Sequence, residues 1–243
     1  MIAPTLTETR PLLQVAGLTK TFGGQFALRG VSFDLHRGEV LGLIGPNGAG
    51  KTTLLETLAG IMPADDGRIT SDGKHVPQHR RREMLFYVPD GIRPYGEQYV
   101  IQVLSFMAGA FQRSAKDMEQ TIAAAGLREA LGKRVNSLSK GFARRLLLAL
   151  GFLAPHPVLL MDEPFDGFDL RQTRNMMDVL RDMAANGRTL LLSIHQMTDA
   201  ERVCDRFVLL ADGTVRGAGT LEELRSRTAL PAGRLEDIFL ALT

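Results

Sequence analysis

The sequence Gly45-Pro46-Asn47-Gly48-Ala49-Gly50-Lys51-Thr52 decides the fold of this 243-residue chain. It matches the pattern G-x-x-x-x-G-K-[ST] in full, follows the apolar run Val40–Ile44 and precedes helix-forming residues. Its glycines allow the backbone to curl so that successive N–H groups point at phosphate oxygens, and a helix that begins here adds the positive end of its dipole. We therefore predict a strand, a phosphate-binding loop and a helix, in that order.

The residues of this loop have predicted roles in holding a nucleotide. Lys51 is expected to reach the β- and γ-phosphates, and the Thr52 hydroxyl is expected to ligate Mg²⁺. The other nucleotide contacts predicted in this stretch are Gly45, Asn47, Gly48, Ala49, Gly50 and Thr53.

A second apolar run, Val158–Met161, ends in the two acids Asp162 and Glu163. Two carboxylates at the end of a buried strand cost free energy unless they meet a metal ion or hydrogen-bond donors. Adjacent side chains of a strand point to opposite sides, which suits two roles: Asp162 near Mg²⁺ and Glu163 as the general base for an attacking water. His195 follows a third run, Thr189–Ser193, and taken alone it is interpreted as a hydrogen-bonded surface histidine.

The rest of the chain predicts an α/β fold. Leu13–Val15 and Val31–Leu35 alternate apolar and polar residues on either side of the turn Gly23-Gly24, which is typical of antiparallel strands. Between Gln98 and Ala154 the apolar residues recur at helical spacing, and Asp169–Ala185 is predicted to be a crossover helix between two strands of a parallel sheet. We predict a phosphate-loop core with an N-terminal antiparallel β subdomain and an inserted α-helical subdomain.

We assign all of residues 1–243 to one domain. Residues 1–11 are a flexible arm, residues 12–90 and 155–243 form the α/β core with its antiparallel β part, and residues 91–154 form the helical insert.

Composition narrows the possible partners and compartments. Lys and Arg total 29 against 27 acidic residues, so nothing in the charge indicates a nucleic-acid partner. The basic run His79–Arg82 precedes Glu83 and is interpreted as a solvated loop. Cys204 is the single cysteine, which excludes an intrachain disulfide and favours a reducing compartment. Because no apolar run reaches roughly 20 residues and the N-terminus lacks a signal pattern, we expect a soluble protein that reaches a membrane only through a partner.

The sequence Leu138-Ser139-Lys140-Gly141-Phe142, followed by Ala143-Arg144-Arg145-Leu146, resembles the signature motif of ABC transporter ATP-binding subunits. In its commonest form that motif reads LSGGQ, and it lies, as here, at the start of a long apolar helix just ahead of the acidic strand. The resemblance runs from about Leu13 to Leu242. It is greatest to the short exporter-type ATPases that pair with a separate membrane protein.

The resemblance implies an ATP-binding and ATP-hydrolysing subunit that uses Mg²⁺ and powers movement of a substrate across a membrane, with export favoured. The catalytic residues would be Glu163, Lys51 and His195, with the histidine holding the γ-phosphate. The ATPase domains would pair head to tail, as two copies or with a paralogous ATPase. The protein would lie on the inner face of the plasma membrane, bound to a separate transmembrane subunit.

In such a dimer, the helix start formed by Ser139, Lys140 and Gly141 would close on the γ-phosphate held by the other subunit. Phe22 resembles the aromatic residue that stacks on adenine, and Asp169 the residue that touches the opposite subunit. The segment Gly91–Tyr99, with the apolar residues after it, is the expected docking surface for the membrane subunit.

Three positions depart from the family pattern. Asp90 stands where a glutamine is usual, and we carry it over as a metal-site residue that accepts from metal-bound water. Lys140 replaces a glycine and Phe142 replaces a glutamine of the signature. Two alternative functions stay open: a soluble ABC ATPase of DNA repair or translation, and a nucleotide-gated interaction module that does not hydrolyse ATP.

Overall fold

The structure is a computed structural model, and it describes residues 10–243. The predicted flexible arm, residues 1–11, lies outside the described residues except for Arg10 and Pro11. The strands are β1 (Leu13–Phe22), β2 (Gln25–Leu35), β3 (Val40–Ile44), β4 (Asp66–Ser71), β5 (Lys74–His75), β6 (Leu85–Val88), β7 (Val158–Asp162), β8 (Thr189–Ile194), β9 (Arg206–Ala211) and β10 (Thr214–Gly219).

The α-helices are α1 (Lys51–Ala59), α2 (Gln78–Arg81), α3 (Val100–Ala110), α4 (Ala115–Ala124), α5 (Lys140–Leu153), α6 (Leu170–Ala185), α7 (Met197–Val203), α8 (Leu221–Thr228) and α9 (Leu235–Leu242). Two 3₁₀ turns, Arg128–Ala130 and Val135–Ser137, precede α5. None of the helices within residues 10–243 combines the length and the hydropathy needed to cross a bilayer.

The strands form two sheets. The first has the order β2-β1-β4-β5 and is antiparallel throughout. The second has the order β10-β9-β3-β8-β7-β6, and its strands are parallel except for β10. The mixed α/β architecture predicted from the sequence is confirmed, with the phosphate loop between β3 and α1.

The predicted antiparallel turn has a clear local cause. Gly23 and Gly24, between β1 and β2, have φ angles of 56° and 82°. Two consecutive residues with positive φ make the kind of turn whose twist matches that of a β-hairpin, and glycine adopts it without strain. The hairpin places Phe22 at the end of β1.

The central sheet is buried on both faces because its strands alternate between two cores. Leu41, Leu43 and Leu160 pack on the side of α1 and the antiparallel sheet. Leu159 and Met161 pack on the side of α5 and α6. Successive side chains of a strand point to opposite faces, so wholly apolar strands such as β3, β7 and β8 fit the middle of this sheet.

The helical insert lies between β6 and β7, where the sequence places it, and consists of α3, α4 and α5. Its helices pack onto the face of the sheet that carries Leu159 and Met161.

One prediction near the β subdomain is wrong. The run His79–Arg82 is not simply a solvated loop, because it overlaps α2 and the Arg81 side chain is buried. The Arg81 guanidinium donates to the Thr57 carbonyl at 2.7 Å and so ties α2 to the end of α1.

Candidate nucleotide-binding and catalytic site

The carboxyl ends of β3, β6, β7 and β8 meet at one edge of the central sheet and bring most of the predicted site residues together. The phosphate loop faces Asp162 and Glu163 across a cleft of about 580 Å³. This edge is where open parallel sheets bind ligands, since helices begin there with their N–H groups free. Among the predicted residues, Asn47, Gly48, Gly50, Lys51, Thr52, Thr53, Asp90, Asp162 and Glu163 line this cleft.

The glycines of the loop are required by close backbone contacts. A β-carbon at Gly45 would lie 2.1 Å from the Leu210 carbonyl oxygen, and one at Gly50 would lie 2.5 Å from that of Ala27. Gly50 also has a φ of 102°, at the point where α1 begins. The loop therefore packs directly on neighbouring backbone, which leaves its N–H groups to form the cradle that the sequence predicts.

Lys51 lies inside this cradle. Its side chain is buried, and its ammonium group donates to the carbonyl oxygens of Gly45 at 2.7 Å and Pro46 at 3.0 Å. Burial lowers the pKa of Lys51, and the nearby charges of Glu163 and Asp162 oppose that shift. Phosphate oxygens are stronger partners for an ammonium than neutral carbonyls are, so the position of Lys51 fits its predicted contact with phosphate groups.

Two predicted metal residues touch each other. The Thr52 hydroxyl donates to Asp162 Oδ2 at 2.7 Å, and the Tyr87 hydroxyl lies 3.4 Å from the same oxygen. Burial and the charge of Asp162 raise the pKa of Tyr87, so it stays a neutral donor. A hydroxyl and a carboxylate facing a phosphate cradle fit Mg²⁺, which usually takes one or two carboxylates plus phosphate oxygens.

Glu163 lies in an unusual backbone conformation directly after β7. Its φ angle is 49°, in the left-handed region, and its N–H donates to the Ser193 carbonyl at 3.1 Å. It lines both the phosphate cleft and a second cleft of about 630 Å³, which also contains His195 and Asn47. Burial raises the pKa of Glu163, while Lys51 and His195 work against the shift. A carboxylate of raised pKa is a better proton acceptor at neutral pH than an ordinary one.

The signature residues lie apart from the phosphate cleft of the same chain. Ser139 is the N-cap of α5 and accepts from the Phe142 N–H. The Lys140 ammonium pairs with Asp166 at 2.7 Å, and a β-carbon on Gly141 would lie 3.2 Å from the Gly167 carbonyl oxygen. Neither cleft is lined by residues 139–141. These residues lie at the start of a helix and away from the phosphate cleft of their own chain, and their binding of an anion stays a prediction.

Phe22 projects from the end of β1 with half of its surface exposed. The Lys20 ammonium lies 5.5 Å from the centre of its ring. The carboxylate of Asp65 accepts from Lys20, from the Thr21 N–H and from the Thr21 hydroxyl, and these bonds lower the pKa of Asp65 to about 2. An open aromatic face on a fixed strand end is suited to stacking on a base.

Two predicted residues have other contacts in this structure. Asp169 is the N-cap of α6, where its carboxylate accepts from the Gln172 N–H at 2.8 Å. Asp90 lines the phosphate cleft, but its carboxylate forms an ion pair with Arg144 of α5. The contact of Asp169 with an opposite subunit and the metal role of Asp90 stay predictions.

Sequence reasoning missed Tyr87 and Arg144. Tyr87 is the third residue of a short strand, and nothing local marks it. Arg144 carried a readable signal, because a charged residue among the apolar positions of α5 must find partners if it is buried.

Several known proteins resemble this chain in sequence and in fold. The family model for ABC transporters matches residues 28–166, which is more than half of the chain. The ABC-type transporter ATP-binding protein EcsA of Bacillus subtilis is 32% identical over 238 residues, which cover 96% of each chain. The Nod factor export ATP-binding protein I of Bradyrhizobium diazoefficiens is 36% identical over 209 residues, which cover 83% of this chain and 68% of that one. A solved structure of an ATP binding subunit of an ABC transporter superposes with a TM-score of 0.85 at 31% identity, over 95% of this chain and 99% of that one.

Proposed function

This chain belongs to the ATP-binding proteins of ABC transporters, and from that premise we propose that it hydrolyses ATP to drive export through a separate membrane subunit. The family assignment makes it a nucleotide-binding transporter subunit. The observation that carries the proposed hydrolysis is the position of Glu163, a half-buried carboxylate of raised pKa that faces both the phosphate loop and His195.

The residues of the cleft have different proposed roles in hydrolysis. Lys51 exchanges the carbonyls of Gly45 and Pro46 for oxygens of the β- and γ-phosphates. Thr52 and Asp162 are the residues that would hold Mg²⁺, which would neutralise negative charge on the phosphates.

On the far side of the γ-phosphate, Glu163 accepts a proton from the attacking water and His195 holds a phosphate oxygen. Phe22 stacks on the adenine, and base stacking of this kind contributes about 1–3 kcal/mol.

We infer that two ATPase domains close head to tail around the nucleotide. The exposed residues Ser139 and Lys140 and the partly exposed Gly141 form an anion site that the chain's own phosphate loop does not use. A second subunit would supply the γ-phosphate for this site, and Asp169 would face that subunit. The partner is a second copy of this chain or a paralogous ATPase.

The membrane subunit docks, in this proposal, on an exposed apolar surface of the helical insert. We define the docking surface as Ile92, Tyr95, Tyr99 and Phe106, whose exposed fractions are 57%, 71%, 40% and 72%. Exposed aromatic residues in this number mark a protein contact more often than a solvated face. Docking there would hold the chain at the inner face of the plasma membrane.

Export is proposed as the direction because the names of several relatives refer to export or to antibiotic resistance. The Nod factor proteins are export ATP-binding proteins, and a 29% identical Bacillus subtilis relative is a linearmycin resistance ATP-binding protein. The matches to transporter subunits over most of the chain favour transport over DNA repair or translation. The remaining alternative is a nucleotide-gated module without hydrolysis, and measurement of phosphate release distinguishes it from an ATPase.

Replacing Glu163→Gln tests the proposed hydrolysis. The amide cannot accept the proton, so turnover should fall about 10²- to 10⁴-fold, the usual contribution of a general base. ATP affinity should stay near the wild-type value, because the phosphate loop and Lys51 are unchanged. Phosphate release and isothermal titration calorimetry measure the two quantities, and size-exclusion chromatography with ATP should show a trapped dimer.

The matched control is Glu222→Gln, at an exposed position of α8, which should turn over ATP like the wild type. If Glu163→Gln hydrolyses ATP at the normal rate, Glu163 is not the base. If the wild type binds ATP without releasing phosphate, even with its membrane subunit, the module is the better account.

A further inference from the structure

A buried arginine connects the signature helix to the catalytic end of β7. Arg144 lies in the first turns of α5, and its side chain is only 4% exposed. Its guanidinium donates to the carbonyl oxygen of Asp162 at 3.3 Å and to the carboxylate of Asp90. Within residues 10–243, Asp90 is the one carboxylate that forms an ion pair with it. An arginine stays charged in proteins, so this cation depends on these partners.

The carbonyl that Arg144 binds lies at the most constrained point of the site. Asp162 is the last residue of β7 to pair with β8, and the next residue, Glu163, has a left-handed φ of 49°. A residue other than glycine is strained in that region and persists there only where its surroundings hold it. The peptide bond between the two residues joins a predicted metal ligand to the predicted base. Arg144 binds the oxygen of this peptide bond.

Asp90 extends the connection to the phosphate cleft. It comes directly after β6 and Pro89, and it lines the phosphate cleft on one side. On the other side it borders a narrow cleft of about 70 Å³ next to Arg144 and Lys140. A single guanidinium on α5 therefore restrains two strand ends of the core, those of β6 and β7. The planar fork of arginine can hold two such partners at once, which the single ammonium of a lysine cannot do in the same geometry.

We propose that Arg144 is a positioning residue for the Mg²⁺–nucleotide site, because it fixes the Asp162–Glu163 peptide and Asp90 against the signature helix. Its effect on turnover rests on the proposed function, whereas its effect on Mg²⁺-dependent binding does not. Loss of the guanidinium lets the Asp162 end of β7 relax, and the Thr52–Asp162 pair is then no longer held in its metal-binding arrangement.

A pure charge effect and a positioning effect predict opposite changes in Mg²⁺ affinity when Arg144 is replaced, so the two can be distinguished. Removing a cation beside Asp90 and Asp162 makes the cleft more negative, and simple electrostatics would strengthen Mg²⁺ binding. Removing a residue that orients a metal ligand weakens metal binding, typically 10- to 100-fold. The direction of the change in Mg²⁺ affinity therefore distinguishes a charge effect from a positioning effect.

The experiment compares Arg144→Met with the wild-type full-length chain. ATP binding is titrated by calorimetry in EDTA and at increasing Mg²⁺, and turnover is measured in parallel. We expect the apparent Mg²⁺ affinity of Arg144→Met to fall about 10- to 100-fold. The matched control is Arg145→Met, at the neighbouring residue, whose guanidinium binds the Gly126 carbonyl and lies near the Phe168 ring instead. It should leave the Mg²⁺ affinity unchanged.

A Mg²⁺ affinity that is unchanged or higher in a folded Arg144→Met protein overturns the proposal. If this variant does not fold, Arg144→Lys replaces it: a loss of Mg²⁺ affinity with the charge retained supports positioning, and wild-type affinity refutes it. A wild type whose ATP binding does not depend on Mg²⁺ also refutes it. A wild type that binds Mg²⁺–ATP but releases no phosphate refutes the proposed hydrolysis alone.

Discussion

At the scale of single residues, the site depends on backbone that has no room for side chains. Gly45 has an ordinary φ angle, so its conformation alone would accept an alanine. The contact with the Leu210 carbonyl at the end of β9 excludes an alanine, because a β-carbon on Gly45 would lie 2.1 Å from that oxygen. The start of the phosphate loop is thus positioned by direct packing on a neighbouring strand.

We expect Gly45→Ala to weaken ATP binding severely, because the loop or the end of β9 must move to relieve this contact. A rigid backbone oxygen cannot rotate away as the end of a side chain can. Overpacking of this kind typically costs about 1–3 kcal/mol of stability as well. Calorimetric titration with Mg²⁺–ATP and urea unfolding measure the two effects.

Gly109→Ala serves as the control for that substitution. Gly109 lies within α3, and a β-carbon there would meet nothing within 4 Å. Alanine is the better helix former by roughly 0.5–1 kcal/mol, so this variant should be slightly more stable and bind ATP normally. Wild-type ATP affinity in Gly45→Ala would show that the loop does not need its close contact with β9.

Sequence reasoning predicted best the placement of those residues whose position depends on neighbours in the chain. Lys51 and Thr52 follow from the loop pattern, and Thr52 does contact Asp162, a residue 110 positions away. Tyr87 and Arg144 contact residues that are distant in the sequence, and no local sequence pattern predicts such contacts. The same limit explains Asp90, whose pairing with Arg144 could not be read from its position after Pro89.

At the scale of elements, α5 is held at both ends. Its N-terminal turn carries the signature residues and Arg144, which binds the end of β7. At its C-terminal end, the Arg188 guanidinium donates to the carbonyls of Phe152 at 3.0 Å and Ala154 at 2.7 Å. Cations stabilise the free carbonyls at the end of a helix. The signature helix is therefore fixed to the core at two places: the end of β7, through Arg144, and the start of β8, through Arg188.

We expect Arg188→Met to destabilise the chain by about 2–4 kcal/mol, since the carbonyls of Phe152 and His156 lose this donor and that of Ala154 keeps only Arg113. Burial and the nearby Arg113 lower the pKa of Arg188 to about 10, so the group is still charged at neutral pH. Urea unfolding followed by circular dichroism measures the change. Arg174→Met, at an exposed position of α6, should stay within about 0.5 kcal/mol of the wild type. Equal stability of the two variants would show that Arg188 does not hold the end of α5.

Elements with strong apolar patterns were predictable, and paired edge elements were not. The runs that form β3, β7 and β8 are apolar throughout, as central strands of a parallel sheet require. β10 contains Gly217 and Gly219 and depends on pairing with β9, so its own residues give a weak signal. In α9 the buried residues Leu235, Ile238 and Phe239 follow the i, i+3, i+4 spacing of an amphipathic helix, which is a strong local signal.

At the scale of the whole molecule, the helical insert joins the nucleotide site to the proposed docking surface. α3 carries Phe106 on its exposed side, and its buried residues share one core with α5 and with Leu159 and Met161 of β7. Protein interiors are close-packed and transmit displacement. A movement of α5 when the signature closes on a nucleotide would therefore reach the docking surface, which is what coupling ATP to a membrane subunit requires.

We expect Phe106→Asp to break the complex with the membrane subunit, because a carboxylate in an apolar interface loses its water without gaining a partner. A central aromatic contact contributes about 2 kcal/mol or more, so the Kd should rise roughly 30-fold. The test is affinity capture in detergent of the multi-span membrane protein that co-purifies with the wild-type chain. Ile61→Asp is the control, since Ile61 is 65% exposed, just beyond α1 and outside the insert. Equally efficient capture of both variants would place the membrane subunit on another face. A movement of α5 that is transmitted through α3 would then reach no partner.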